Sequence, residues 1–175
     1  MTCIAGVSEN GKVVIGGDSA GVNSDGHLQL RKDSKVFRTG DYLMGVAGSW
    51  KLGQNLRFTE FTSPPENLDP FNFAVTIFMD ELRAVVRKTD LPEDKDFELL
   101  VGFRGRLFHV YGTSQVSEEI AGYEACGSGA QVARGSLYST DHEPHVSPEV
   151  RIKLALQAAE RFCSGVRGPF TILDI

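Results

Sequence analysis

The chain has 175 residues, of which 41% are hydrophobic and 23% are charged, and its formal net charge is −5 at pH 7. A chain of this length buries roughly 70% of its unfolded surface, so we predict a single domain over residues 1–175. The mild acidity and the lack of a basic cluster or a long apolar run argue against nucleic acid and membrane as partners. The three cysteines are scattered and odd in number, which predicts reduced core residues in a cytoplasmic protein.

The first twenty residues are typical of a hairpin that returns to Thr2. Two apolar runs flank Asn10-Gly11, which is the strongest short hairpin signal. A two-residue loop would pair Thr2 with Ser19, whereas a three-residue loop would pair Thr2 with Asp18. Both registers bring Asp18 within one position of Thr2, although they place its side chain on different faces of the sheet.

A second hairpin is predicted after residue 35. With its turn at Thr39-Gly40, a two-residue loop sets Lys35 opposite Met44, beside the small residues of the stretch 45–49. The later elements follow from apolar periodicity and from turn and capping residues. They are a helix from 69 to about 88, a turn at 89–94, strands at 97–103 and 107–111, a helix from 127 to about 138, a helix capped by Ser147 and a strand at 170–173.

The last helix carries apolar residues on two sides. A helix that is apolar on two sides is buried on two sides, so we predict that it packs on the sheet and on another subunit. One stripe consists of Val150, Leu154, Ala158 and Phe162, and the other of Ile152, Leu156, Ala159 and Cys163.

Thr2 is the strongest candidate for a catalytic residue. Removal of Met1 would leave Thr2 with a hydroxyl and a free α-amine a few atoms apart. The α-amine titrates near pH 7.7–8, so it can take the hydroxyl proton at neutral pH. A neighbouring ammonium would lower the pKa of the amine, and a backbone amide would stabilise the oxyanion that forms on attack.

The order of the motifs resembles the proteasome β-subunit family, and the HslV-like peptidases in particular. The motifs that carry this resemblance are Thr2-Cys3-Ile4, Gly16-Gly17-Asp18-Ser19, the stretch 31–36, Gly45-Val46-Ala47-Gly48-Ser49 and Gly127-Ser128-Gly129-Ala130. The resemblance implies an α+β fold, a four-layer αββα sandwich of the N-terminal nucleophile hydrolase type with mostly antiparallel sheets. It also implies a threonine-type endopeptidase that acts on peptides or proteins.

The resemblance also implies a role for individual residues. Lys32 competes for the lysine position, but we prefer Lys35 because it leads directly into a strand. A glycine at position 45 would leave a roomy pocket for large apolar side chains. The implied set is Thr2 as nucleophile, Asp18 and Lys35 as its charged partners, Gly48 as the oxyanion donor, Ser128 beside the amine, and Ala20, Gly45 and Ser49 along the substrate groove.

Partners and cofactors follow from the same resemblance. It implies a homo-oligomeric ring that encloses the sites, and a separate ATPase that unfolds substrates, because this chain has no G-x-x-x-x-G-K-[ST] loop. No cofactor is required, although the resemblance allows a monovalent cation on carbonyls near Glu160, Cys163 and Val166. No side chain there demands a metal.

Two alternatives remain open. Arg161 stands where the family has an acidic residue, and Glu160 is displaced by one position. Together with retention of Met1, which would leave no free amine, this favours an inactive ring-forming scaffold. In addition, Gly17-Asp18-Ser19-Ala20-Gly21 fits the G-x-S-x-G nucleophile elbow, which would make the chain a serine hydrolase that uses Ser19.

Overall fold

The computed structural model describes residues 1–23, 25–90 and 97–175. The strands are β1 (Ile4–Glu9), β2 (Lys12–Gly17), β3 (Ala20–Val22), β4 (Leu28–Leu30), β5 (Val36–Thr39), β6 (Tyr42–Ala47), β7 (Glu98–Phe103), β8 (Arg106–Tyr111), β9 (Val116–Ser117), β10 (Tyr123–Cys126) and β11 (Thr171–Asp174). The helices are α1 (Trp50–Arg57), α2 (Pro70–Phe73), α3 (Met79–Lys88), α4 (Ala130–Thr140) and α5 (Pro148–Phe162), with a π-helical segment at Ala74–Phe78 between α2 and α3. The predicted turn at 89–94 lies outside the described residues from position 91 onward.

Two antiparallel sheets stack face to face, and each carries helices on its outer face. The strand order is β10-β1-β2-β11 in the first sheet and β5-β6-β7-β8-β9 in the second, while β3 and β4 form a separate ribbon. Helices α4 and α5 pack on the first sheet, and α1 and α3 pack on the second. This arrangement confirms the predicted α+β, four-layer αββα architecture.

Three apolar clusters fill the spaces between the layers. The cluster between the two sheets matters most for the site, because it supports the strands that lead to and from Thr2. Its members are Ile4, Val13, Ile15, Val36, Leu43, Ala47, Leu100, Leu107 and Cys126. Cys3 and Cys126 are buried and all three cysteines are free thiols, as predicted.

The first hairpin adopts the two-residue register. Glu9 pairs with Lys12 and Ile4 pairs with Gly17 across the loop Asn10-Gly11. Both loop residues have positive φ, 53° for Asn10 and 77° for Gly11. Positive φ at both positions is typical of the type I′ turn, which favours Asn-Gly and whose twist matches that of the two strands. The chain therefore returns to its own beginning, where the Asp18 amide meets the Cys3 carbonyl one residue after Thr2.

The second hairpin differs from its predicted register by two residues. Its loop is Gly40-Asp41 rather than Thr39-Gly40, because Thr39 stays in the ladder opposite Tyr42. Gly40 then supplies the positive φ, 53°, at the first loop position. As a result, Lys35 lies opposite Val46 rather than Met44, and its carbonyl accepts the Val46 amide at 3.0 Å.

The helix predicted from residue 69 to about 88 forms, but the side chains of its first turns point in other directions than the predicted periodicity requires. Asp69 caps it. The helical spacing of Phe71, Val75, Phe78, Leu82 and Val85 predicts one buried face, and the last three are buried, whereas Val75 is 43% exposed. The π-helical segment adds a residue to one turn, so it rotates the preceding turn relative to α3. Phe71 is consequently exposed rather than buried.

Helix α5 begins and packs as predicted on one side. Ser147 accepts the Val150 amide at its start, and the stripe that contains Ile152, Leu156 and Ala159 is buried against the first sheet. The opposite stripe remains open, with Leu154 41% and Phe162 76% exposed. Within the described ranges, no helix combines the length and apolar character needed to cross a membrane.

Candidate active site

Thr2 is held at the edge of the first sheet, just ahead of β1. The Asp18 amide donates to the Cys3 carbonyl at 3.2 Å, which continues the β1–β2 ladder toward Thr2. On the other side, the Thr2 carbonyl accepts the Gly129 amide at 3.1 Å and the Ser128 hydroxyl at 3.2 Å. The Thr2 amide in turn donates to the Ser128 hydroxyl at 3.1 Å. The turn between β10 and α4 therefore fixes the backbone of Thr2.

Asp18 and Lys35 form a buried ion pair next to Thr2. The Lys35 Nζ atom lies 2.7 Å from the Asp18 Oδ1 atom, and the two side chains are 3% and 0% exposed. The amides of Cys3 and Ala20 donate to the same carboxylate at 2.9 and 3.0 Å. Because a buried charge is costly unless it is paired and hydrogen-bonded, these contacts hold the Asp18 carboxylate in one place.

The Lys35 ammonium and the Thr2 hydroxyl share one acceptor. The Thr2 Oγ1 atom donates to the Met1 carbonyl at 2.7 Å, and the Lys35 Nζ atom lies 3.5 Å from the same oxygen. Burial lowers the pKa of Lys35 below its ordinary value, although the Asp18 carboxylate opposes this shift. Lys32, the competing lysine, is exposed to solvent.

Gly48 lies between two cavities that both contact Thr2. It follows β6 directly, is exposed, and has a φ of 102°, which glycine adopts without steric cost. The first cavity is called the cleft below. Its wall includes Thr2, Lys35, Val46, Gly48, Ser49 and Trp50. The second cavity is bordered by Met1, Thr2, Gly48, Glu98 and Ser128.

Ser49 lies in the wall of the cleft, where substrate contact was expected. It also caps α1, because its hydroxyl accepts the Leu52 amide at 3.3 Å. The hydroxyl is therefore engaged by the helix, and Ser49 presents a fixed surface to the cleft.

Gly45 and Ala20 do not lie where the substrate groove was expected. A Cβ atom on Gly45 would meet Ile4 at 2.5 Å and Ile15 at 3.0 Å, so this face of β6 points between the sheets. Successive strand residues face opposite sides, and it is Val46 that borders the cleft. Ala20 is fully buried in β3 and supports the Asp18 carboxylate through its amide.

A partly buried network beyond Ser128 was not predicted. The Glu98 carboxylate accepts the Gly127 amide at 3.2 Å and lies 3.0 Å from the His109 Nε2 atom. The other ring nitrogen, Nδ1, is 3.7 Å from Glu124, which is too long for a hydrogen bond, and it has no partner. Burial lowers the pKa of His109, but Glu124 and Glu98 outweigh this effect and the pKa is raised.

These residues carry no sequence signal, because they meet only through strand pairing. Glu98, His109 and Glu124 lie on β7, β8 and β10, at spacings that match no motif. The aromatic wall of the cleft was missed for the same reason. The Arg31 guanidinium stacks 3.9 Å above the Trp50 ring, and this contact joins the segment before β5 to the start of α1.

Ser19 lacks the surroundings of a nucleophile elbow. It lies between β2 and β3, whereas an elbow needs a strand that turns into a helix. Its side chain is buried and its hydroxyl donates to the Pro169 carbonyl. Across the described residues, no hydrogen bond joins Ser19 to a histidine.

The end of α5 differs from the expectations for a cation and for an acidic residue. Arg161 is exposed, and the Glu160 carboxylate accepts the Gly168 amide at 2.8 Å. The carbonyls of Glu160, Cys163 and Val166 accept hydrogen bonds from Arg167, so they do not fit a monovalent cation. Elsewhere in the described ranges, no cluster of three or more His, Cys, Asp or Glu residues could hold a metal ion.

No family model matches the sequence, but solved structures share the fold. Thiobacillus denitrificans BPH in complex with epoxomicin matches with a TM-score of 0.84 and 21% identity, over 99% of this chain and 98% of that chain. Eukaryotic HslV from Trypanosoma brucei matches with a TM-score of 0.73 and 17% identity, over 99% and 98%. Anbu (ancestral β-subunit) from Yersinia bercovieri matches with 0.71 and 15%, over 99% and 81%.

The chain therefore has the proteasome-like fold that its motifs led us to expect. Its structural neighbours include HslV and Anbu. At identities of 15–21% the likeness concerns the fold, and one fold can carry several functions.

Proposed function

We propose that this protein is a threonine-type peptidase that uses Thr2 as its nucleophile once Met1 has been removed. The observation that carries the proposal is the position of the Thr2 hydroxyl next to the buried Lys35 ammonium: with Met1 still present, both groups lie within 2.7 and 3.5 Å of the Met1 carbonyl oxygen. This contact places the hydroxyl beside a buried cation that is itself held by Asp18. The Thr2 nitrogen, which would become the free amine, is oriented by Ser128 at 3.1 Å.

The proposed reaction needs no cofactor. The Thr2 hydroxyl adds to the carbonyl carbon of a peptide bond while its proton passes to the α-amine. The oxyanion accepts a hydrogen bond from the Gly48 amide, a contact of a kind worth about 2.7–4 kcal/mol. Collapse expels the leaving amine, which takes the proton back, and water then hydrolyses the ester on Thr2 with the α-amine again as base.

The Lys35 ammonium has a specific part in this mechanism. Like charge disfavours protonation of a neighbouring amine, so Lys35 would lower the pKa of the Thr2 amine. Because Lys35 is fixed by the buried Asp18 carboxylate, this influence persists without any movement of the side chain. More of the amine would then be neutral at pH 7 and able to act as a base.

The test combines mass spectrometry with an activity assay. Intact mass should show the loss of one methionine, and the processed protein should hydrolyse a fluorogenic peptide. Thr2→Ala should abolish hydrolysis, whereas Ser19→Ala should retain it. If Thr2→Ala keeps full activity and Ser19→Ala loses it, the proposal is wrong and Ser19 is the nucleophile.

Epoxomicin offers a second probe, because the structural neighbour BPH is solved in complex with it. We expect epoxomicin to inhibit hydrolysis by this protein and to raise its Tm, since a ligand stabilises the folded state that binds it. Absence of both effects would argue against a BPH-like binding site.

We also propose that the chain forms a closed homo-oligomeric ring. The support is the open apolar stripe of α5, where Val150, Leu154 and Phe162 are 47%, 41% and 76% exposed. Exposed apolar patches of this kind mark interfaces, and closed symmetry is the usual form of homo-oligomers. Any ATP-driven unfolding would require a separate ATPase, since the sequence has no phosphate-binding loop.

Light scattering at micromolar concentration tests the assembly. We expect a particle of many subunits for the wild type and smaller species for Leu154→Glu combined with Phe162→Glu. Gln157→Glu adds a charge at an exposed position of the same helix and should leave the particle intact. A wild-type monomer would contradict the proposed ring.

A catalytically inactive scaffold is the second candidate, and the observation that favours it is Arg161, an exposed arginine near the end of α5 where the family resemblance implies an acidic residue. In the structure Met1 packs against Gly165 and its carbonyl accepts the Thr2 hydroxyl. With Met1 in place the Thr2 nitrogen belongs to a peptide bond and cannot act as a base. Retention of Met1 in the purified protein, together with ring assembly and no hydrolysis, would support the scaffold.

A further inference from the structure

Arg167 binds three backbone carbonyls where α5 ends. Its Nη1 atom lies 2.6 Å from the Val166 carbonyl, 3.2 Å from the Glu160 carbonyl and 3.3 Å from the Cys163 carbonyl. Helix α5 ends at Phe162, so the Glu160 carbonyl belongs to its last turn and the other two lie just beyond.

Such a group of carbonyls favours a positive charge. The last carbonyls of a helix lack intrahelical donors, and the aligned peptide dipoles make this end negative. A guanidinium supplies both the hydrogen-bond donors that these carbonyls lack and a positive charge, because it has several N–H groups and stays protonated throughout the pH range in which proteins are stable. The Nη1 atom carries two N–H groups, which the three carbonyls share in charge-assisted hydrogen bonds, and such bonds are stronger than neutral ones.

We infer that the Arg167 guanidinium is a built-in cation, which replaces a dissociable Na⁺ or K⁺ at this site. A metal ion would need the same carbonyl oxygens that Arg167 occupies, and its charge would lie in contact with a like charge. The protein thus does not depend on a monovalent cation for its stability. This inference holds whether or not Thr2 is a nucleophile.

Arg167 also contacts the turn after β2, which contains Asp18 and Ser19 and belongs to the candidate active site. The Arg167 carbonyl accepts the Ser19 amide at 2.9 Å, and the Arg167 amide lies 3.4 Å from the Asp18 carboxylate. The next residue, Gly168, donates to the Glu160 side chain at 2.8 Å. Arg167 therefore links the end of α5 to the turn that carries Asp18.

The first test uses the wild-type protein and exchanges the salt. Tm is measured in NaCl, KCl and choline chloride at equal ionic strength. Choline chloride is the control salt, because choline is too large to bind between the three carbonyls. We expect the same Tm in all three salts. A Tm that rises in NaCl or KCl relative to choline chloride would overturn the inference, since a bound ion stabilises the folded state.

The second test removes the guanidinium and returns it in solution. We expect Arg167→Ala to lower Tm by on the order of 5 °C more than Arg161→Ala, which removes an exposed arginine from the same helix end. Guanidinium chloride at millimolar concentration, far below the denaturing range, should restore part of the loss. Urea, which has a similar shape and no charge, should not.

Each outcome of the second test decides the matter. Equal Tm values for the two alanine variants would overturn the inference, and so would a loss for Arg167→Ala that neither guanidinium nor Na⁺ nor K⁺ restores. Restoration by guanidinium or by a monovalent cation, without restoration by urea, supports it. If Arg167→Ala fails to fold, the salt comparison on the wild type still gives the answer.

Discussion

Lys35→Met is the substitution that tests the buried pair most directly. Methionine keeps much of the length and volume of lysine but carries no charge, so the change removes one partner of an ion pair whose side chains are 3% and 0% exposed. The Asp18 carboxylate remains buried. Removing one member of such a pair costs about 3–5 kcal/mol, because it leaves an uncompensated charge in the interior.

The contacts that Asp18 retains favour the lower end of this range. The amides of Cys3 and Ala20 still donate to its carboxylate at 2.9 and 3.0 Å. We therefore expect a loss of about 3 kcal/mol in the free energy of unfolding. For a chain of this length each kcal/mol shifts Tm by roughly 2–4 °C, so Tm should fall by about 6–12 °C.

Urea unfolding and thermal melting measure this loss. Lys32→Met is the matched control, because Lys32 is exposed and surface changes of this kind stay within about 0.5 kcal/mol. Adding Asp18→Asn to Lys35→Met removes the orphaned charge and should recover part of the stability. The reasoning fails if Lys35→Met is no less stable than Lys32→Met.

The same variant also tests the proposed chemistry. If Lys35 lowers the pKa of the Thr2 amine, Lys35→Met should raise that pKa and shift the rise of activity with pH to higher pH. One pKa unit corresponds to about 1.4 kcal/mol. The assay is hydrolysis of a fluorogenic peptide from pH 6 to 10, with Lys32→Met as the control. A rise that stays at the wild-type pH would show that Lys35 does not act on the base.

Three further outcomes are expected. Gly45→Ala should lose about 1–3 kcal/mol of stability, because its Cβ atom would overlap Ile4, whereas Gly53→Ala meets only ordinary contacts and should be stabilising in α1. The pKa of His109 is raised, so protonation of His109 contributes stability that is fully present below about pH 6.5 and is lost as pH rises through that pKa. The His109→Gln substitution should therefore flatten the pH dependence of Tm above pH 6.5. The control is His27→Gln at an exposed position, which should leave that dependence unchanged. A thiol reagent should label Cys163 in the native protein and spare the two fully buried cysteines.

The two hairpins show how far local sequence determines register. Asn10-Gly11 located the first turn but left a two-residue and a three-residue loop open, and the structure adopts the two-residue loop, in which both residues have positive φ. Near Gly40 the glycine can occupy either loop position. Only the packing of β5 and β6 in the sheet selects Gly40-Asp41, and this selection moves Lys35 from Met44 to Val46.

The family resemblance was sufficient to predict which charged residues meet near Thr2. It was not sufficient to predict which side chains of β6 point into the cleft. Asp18 and Lys35 meet as expected, but the groove-facing residue of β6 is Val46 rather than Gly45. A shift of one position reverses the face of a strand, and neighbouring small residues give no sign of which face is which. The role of Arg167 was equally hidden, since its acceptors are backbone carbonyls that any residue could supply.

The placement of Arg167 also has a consequence for protein synthesis. Asp18 leaves the ribosome early, but the segment that contacts it around Arg167 is translated 149 residues later. At translation rates of about 5–20 residues per second, this interval lasts roughly 7–30 s. Strand β11, which completes the first sheet beside β2, follows later still. A nascent chain therefore cannot hold its first residues in their final surroundings until Arg167 and β11 have left the ribosome.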